Sequence, residues 1–198
     1  VPLLLDQNGK KFGKSEGGAL YLDAKLVSPY KIYQYFINVS DDDAARYMKV
    51  FSFKTLDEIA AITKEHYDNL GARIAQKALA YEIIELIHGH EKAEECKKMS
   101  EVLFSGDIKS LSKDNIVELF GDLEQSQPKG LLLEDMLIAI KAASSKREAR
   151  EFINGNAVAI NGEKVADLTH TVDEKDALFG EYVVIKRGKK NYYLVKFN

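Results

Sequence analysis

Between residues 28 and 121, apolar side chains recur every three or four positions, the spacing of amphipathic helices, and no stretch alternates as a strand would. The longest pattern spans about 72–88, where Ala75, Leu79, Ile83 and Leu86 line one face. Start signals are explicit. Ser28-Pro29 offers an N-cap and a first-turn proline, and Ser40 precedes three aspartates that suit a helix N-terminus. Thr55 with Glu58 forms a capping box. Gly89, Gly106 and Gly121 stand where helices would stop. Residues 122–130 are polar and contain a proline, a linker composition. From 131 onward the pattern changes. One helix carries Leu133, Met136, Leu137 and Ile140 on a face, and a second runs from the capping box Ser145-Lys146-Arg147-Glu148 to Gly155. Asn161-Gly162 between short apolar runs predicts a tight hairpin, because both central residues take positive φ. Two further strands are expected at 181–187 and 192–197, joined by a basic turn. The expected fold is mainly α, then α+β: a helical bundle, a linker, and a small domain of two helices with an antiparallel sheet.

Composition narrows the class. The 198 residues are 45% hydrophobic and 30% charged, as in a globular protein, and no apolar run nears the ~20 residues that span a bilayer. The single cysteine, Cys96, excludes a disulfide framework and fits a cytoplasmic setting. Net charge is -3, but residues 131–198 are net +1 and residues 1–130 net -4, so a nucleic-acid surface would have to come from local clustering. The first residues carry no basic leader pattern and open inside a strand-like apolar run, which suggests a fragment boundary. His88 and His90 fall on different helix faces and have no cysteine near them, while His66 and His170 stand alone, so no metal site is expected.

Residues 9–18 form a glycine-rich basic segment, expected as a mobile surface loop, that includes Lys11-Phe12-Gly13-Lys14-Ser15. A P-loop needs glycine at position 8, where Asn8 stands, and a helix behind the lysine, where Glu16-Gly17-Gly18 follows. The pentapeptide instead resembles the lysine loop of class I aminoacyl-tRNA synthetases. With Glu16-Gly17-Gly18-Ala19, Leu22-Asp23, Ser28-Pro29-Tyr30, Leu103-Phe104-Ser105-Gly106, Ile160-Asn161-Gly162-Glu163 and Gly188-Lys189-Lys190-Asn191-Tyr192, the chain is similar to the tyrosyl-tRNA synthetase family over essentially its whole length.

The resemblance implies an ATP-dependent tyrosine-tRNA ligase, with ATP as substrate, accompanied by magnesium, in the full-length enzyme and neither held tightly here. It assigns Lys11 and Lys14 to the departing pyrophosphate, with Gly13 and Ser15 supporting them. Lysines on a flexible loop can close on charge as it develops, which is transition-state stabilisation. The motifs that bind tyrosine and adenine lie upstream in the family, so this piece alone is expected to be inactive. The implied layout is the end of a catalytic domain at 1–27, a helical anticodon-binding domain at 28–121, a linker at 122–130 and a small RNA-binding domain at 131–198. That last segment resembles a module shared with a small-subunit ribosomal protein. Its expected RNA contacts are Lys146, Arg147, Arg150, Lys164, Lys186, Arg187, Lys189 and Lys190. Cations at the start of a helix gain nothing from its dipole, which favours a binding role for the first three. Tyr30, Tyr33 and Tyr35 are expected to pack internally. The implied partners are tyrosine tRNA and the missing catalytic domain, with a homodimer for the whole enzyme and a monomer for the fragment. A stand-alone RNA-binding protein is the competing interpretation, and the lysine loop argues against it.

Overall fold

The computed structural model describes residues 14–15 and 18–198, with side chains from residue 20 onward. The chain divides into two compact units, 1–100 and 101–198.

In the first unit, β1 (Lys14–Ser15) and β2 (Gly18–Ala19) pair antiparallel, with Lys14 opposite Ala19 and Ser15 opposite Gly18. Helices follow: α1 (Pro29–Ile37), α2 (Asp41–Phe51), α3 (Leu56–Asp68), α4 (Ile74–His88) and α5 (His90–Ser105), the division between units falling inside α5. The expected caps are present. The Ser28 hydroxyl accepts from the Lys31 amide, Ser40 from Asp43, and Thr55 and Glu58 satisfy one another's backbone N–H groups. Helix α4 packs against α1, α2 and α3. Its Ala75, Leu79 and Ile83 are buried with Ile32, Tyr33, Phe36 and Met48. Leu86, on the same face one turn further on, is 60% exposed. Periodicity names a face, but only a covering neighbour buries it. Tyr30 and Tyr33 are core residues, as expected.

The second unit contains α6 (Lys113–Phe120), β3 (Glu124–Gln127), β4 (Leu131–Leu132), α7 (Leu133–Ala139), α8 (Lys146–Asn154), β5 (Val158–Ile160), β6 (Glu163–Lys164), β7 (Thr171–Val172), β8 (Tyr182–Arg187) and β9 (Asn191–Phe197). A five-stranded sheet has the order β3-β9-β8-β5-β6, and β4 pairs with β7 as a separate ribbon. The antiparallel part and both helices are as expected. Residues 122–130 are not simply a linker: Glu124–Gln127 run parallel to β9, from Glu124 opposite Leu194 to Gln127 opposite Phe197. Backbone groups along the edge of β9 make that strand, despite its polar side chains. Gly121 keeps a right-handed φ of -57° because the chain continues into a 3-10 turn instead of reversing.

One sheet face carries Val158, Ile160, Val183, Ile185 and Val195 into a core with α7 and α8. Leu133, Met136, Leu137 and Ile140 are all 0% exposed there, each worth about 1.5–3 kcal/mol of burial. The Asn161-Gly162 turn is the predicted two-residue hairpin, with φ of 49° and 91° and Ile160 paired to Glu163.

Candidate nucleic-acid interface

Strand alternation puts the next residues along β5, β8 and β9 on the opposite face of the sheet. The register aligns one row across four strands: Lys164 opposite Ala159, Ala159 opposite Lys186, and Lys186 opposite Tyr192. Directly paired side chains share a face about 5 Å apart, so two lysines flank an alanine, with an aromatic ring at the end of the row. The Lys186 ammonium lies 4.9 Å from the centre of the Tyr192 ring.

The residues before α6 cover the far part of this face. The Tyr192 hydroxyl donates to the Leu103 carbonyl at 3.3 Å, and its ring lies 5.2 Å from that of Phe120. Gly106 meets Gly162 so closely that a Cβ at 162 would stand 1.7 Å from the Gly106 carbonyl oxygen. Lys109 pairs with Glu163 at 2.5 Å beside that contact. Two segments singled out in the sequence, 103–106 and 160–163, are thus in backbone contact.

The uncovered part of the face is a groove of about 500 Å³. Gly155, Ala157, Ala159 and Gly188 line it with small residues beside Ile108 and Val184, Lys164, Lys186 and Lys189 supply charge, and Phe104 and Tyr192 are its aromatic residues. None of the lining residues is acidic. Phe104 is 79% exposed.

The eight cations expected to bind RNA do not form one surface. Lys164 and Lys186 share the open sheet face, and Lys189 and Lys190 sit exposed in the turn beyond β8. Arg187, one residue from Lys186, points to the other face. Its Nη1 donates to the Ala142 carbonyl at 2.7 Å, and its guanidinium lies 5.1 Å from the Phe152 ring centre. Lys146, Arg147 and Arg150 are on α8, which covers that same helix-packed face. Arg150 binds both oxygens of buried Glu134, at 2.5 and 3.1 Å. Lys146 reaches Asp135 at 2.7 Å and Glu134 at 3.5 Å. The Arg150 guanidinium, and secondarily Lys146, hold the Glu134 carboxyl below the usual carboxylate range, while the bond to Asp135 pushes Lys146 up. Their placement therefore has a stabilising cause in acids on the preceding helix, although the dipole offers none. Arg147 is 90% exposed and pairs with Glu151 at 3.0 Å. Glu148 bonds the Ser144 amide and hydroxyl, so the expected capping box at Ser145 is only half formed.

The backbone of Lys14 and Ser15 belongs to β1, while Lys11 and Gly13 lie outside the described residues. Sequence reasoning missed Phe104 and Ala159 as groove residues. The alternation Val183, Ile185 against Val184, Lys186 carried the signal that separates Lys186 from Arg187.

The family model for tRNA synthetases class I (W and Y) matches residues 1–105, and the tyrosine–tRNA ligase SYY-like C-terminal domain matches residues 115–195. Tyrosine–tRNA ligase 2 of Enterococcus faecalis is 46% identical over 100% of this chain and 48% of its own length. Tyrosine–tRNA ligase of Streptococcus thermophilus is 44% identical with the same coverage. The solution structure of a tyrosyl-tRNA synthetase C-terminal domain is 36% identical over 48% of this chain and 98% of its own, with a TM-score of 0.39. The chain spans about half the length of the curated relatives it matches. Among the described residues, no helix is long and apolar enough to cross a membrane. With both family models matched and the likeness to tyrosine–tRNA ligases running its full length, the chain belongs to the tyrosyl-tRNA synthetase family of class I tRNA synthetases.

Proposed function

We propose that residues 101–198 bind tyrosine tRNA through the open face of the sheet, as part of an enzyme that joins tyrosine to that tRNA at the expense of ATP. The observation that carries this proposal is the distribution of cations. Lys164, Lys186 and Lys189 line a groove without acids, whereas Lys146 and Arg150 are held by Glu134 and Asp135. Phosphate contacts give affinity and register rather than base identity. Lys190 extends the same cationic rim, and Arg147 is a secondary contact from α8. In the whole enzyme, which acts in the cytoplasm as a homodimer on ATP accompanied by magnesium, Lys11 and Lys14 meet the pyrophosphate, supported by Gly13 and Ser15. The helical segment 28–121 approaches the anticodon.

The test is binding of this chain to tyrosine tRNA and to a short-variable-arm tRNA across a salt series. Tighter binding of tyrosine tRNA that survives moderate salt supports the proposal. Equal, salt-labile binding of both would leave only a non-selective electrostatic surface.

A further inference from the structure

We infer that the groove on the open sheet face takes an unpaired RNA nucleotide, with its base stacked on Phe104 and its phosphates met by Lys164, Lys186 and Lys189. This rests on the proposal that this unit binds RNA, and adds to it a subsite with a named aromatic.

Exposure of one phenylalanine is ordinary by itself. Here it coincides with a volume, a charge and a fixed position. The groove's approximately 500 Å³ lies within the ~300–1,000 Å³ typical of small-ligand pockets. Gly155, Ala157, Ala159 and Gly188 contribute little side chain to its lining, which leaves room for a flat aromatic base. Of the two aromatic residues lining it, Tyr192 is occupied: Lys186 lies over its ring and Phe120 packs against it. Among the described residues, none places a ring or cation against Phe104, which is 79% exposed.

Phe104 is also held in place. The Leu103 carbonyl before it is bonded by the Tyr192 hydroxyl, and Gly106 after it is seated on Gly162. A duplex cannot offer the face of a base to such a platform, because its bases are already stacked. A loop, bulge or single strand can. Stacking on an aromatic tolerates any base, and the lysines track the backbone, so the subsite reads strandedness before sequence.

The experiment titrates this chain with a short single-stranded RNA and with the same strand annealed to its complement, using wild type, Phe104→Leu and Lys186→Ala. Phe104→Leu keeps an apolar side chain and removes the π-face; an unchanged thermal midpoint would show that the fold is intact. The expected result is single-strand affinity reduced at least about 5-fold, the lower end of the ~1–3 kcal/mol that truncation of one base–aromatic stack costs, with duplex binding and the salt slope unchanged. Lys186→Ala is expected to make the salt slope shallower for both RNAs. Phe104→Leu binding both RNAs like wild type would overturn the subsite while leaving RNA binding intact. Wild type binding neither of these RNAs while still binding tyrosine tRNA would overturn the subsite alone, and binding no tyrosine tRNA either would overturn both. A poly-glutamate peptide whose binding depends equally on Phe104 would identify the groove as a site for acidic protein segments, and would also overturn the inference.

Discussion

Replacing Asn161 with alanine removes a side chain that closes the second unit around its hairpin. Asn161 is 4% exposed. Its Nδ2 donates to the Asp176 carbonyl at 2.6 Å, and its Oδ1 accepts from the Val184 amide at 2.9 Å. Alanine leaves both backbone groups without that partner, at about 1–3 kcal/mol each, or ~2–6 kcal/mol together. Alanine must also hold the φ of 49° that asparagine tolerates better. Against the ~5–15 kcal/mol of a typical domain, this is a large fraction. At ~4–8 °C per kcal/mol for a domain of about a hundred residues, the unfolding midpoint should drop by at least ~8 °C. Urea unfolding, with hydrogen exchange at the Val184 amide, measures the loss and locates it. Asn161→Gly separates the causes: it relaxes the backbone but also loses both bonds, so it should lose nearly as much stability. A loss below ~1 kcal/mol for Asn161→Ala would refute the hydrogen-bond accounting, and a wild-type-like Asn161→Gly would assign the effect to backbone conformation.

Gly162→Ala places a Cβ 1.7 Å from the Gly106 carbonyl oxygen at a φ of 91°, so it should cost more than ~1 kcal/mol and loosen residues 103–108 in hydrogen exchange. Unchanged protection there would mean that the glycine contact does not seat the segment. Glu134→Gln tests the α7–α8 ion network by pH. Because Arg150 lowers the Glu134 pKa below its ordinary 4.5, the carboxylate's contribution is present above about pH 4.5 and fades as pH falls through the lower folded value. Wild type should therefore lose stability on acidification more steeply than Glu134→Gln, and parallel curves would contradict that role. The shifts of Lys146 and Arg150 are upward, so their contributions persist through neutral pH and fade only on the alkaline side. Arg187→Lys loses the guanidinium over the Phe152 ring and its bond to the Ala142 carbonyl, and should lower the thermal midpoint without altering the salt slope of RNA binding. A shallower slope would show that Arg187 touches phosphate.

Local chemistry made much of this fold legible. Serine and threonine caps, the proline at the start of α1 and the Asn-Gly turn each satisfy backbone groups within a few residues, so short sequence windows contain the cause. Glu124–Gln127 could not be read that way, because β9, far along the chain, makes them a strand. The same distinction divides the candidate site. Lys186 and Arg187 look equivalent as a basic pair, yet strand alternation beside Val183 and Ile185 already places them on opposite faces. Arg150 could not be assigned from its own helix, because Glu134 lies on another. Phe104 was visible in a recognisable motif, but its place in the groove depends on Gly106 meeting Gly162 across more than fifty residues of chain.

The central claim, that RNA phosphates lie on the open sheet face, is tested most directly by the salt dependence of tyrosine tRNA binding. Wild type should be compared with a variant carrying Lys164→Ala, Lys186→Ala and Lys189→Ala, both confirmed folded by thermal melting. Each lost phosphate contact removes roughly 0.7–0.9 from the slope of log affinity against log salt, so the predicted change for the three is about 2–3. A slope unchanged by the three substitutions, but reduced by Arg147→Ala on α8, would contradict the account and move the RNA to the helical face.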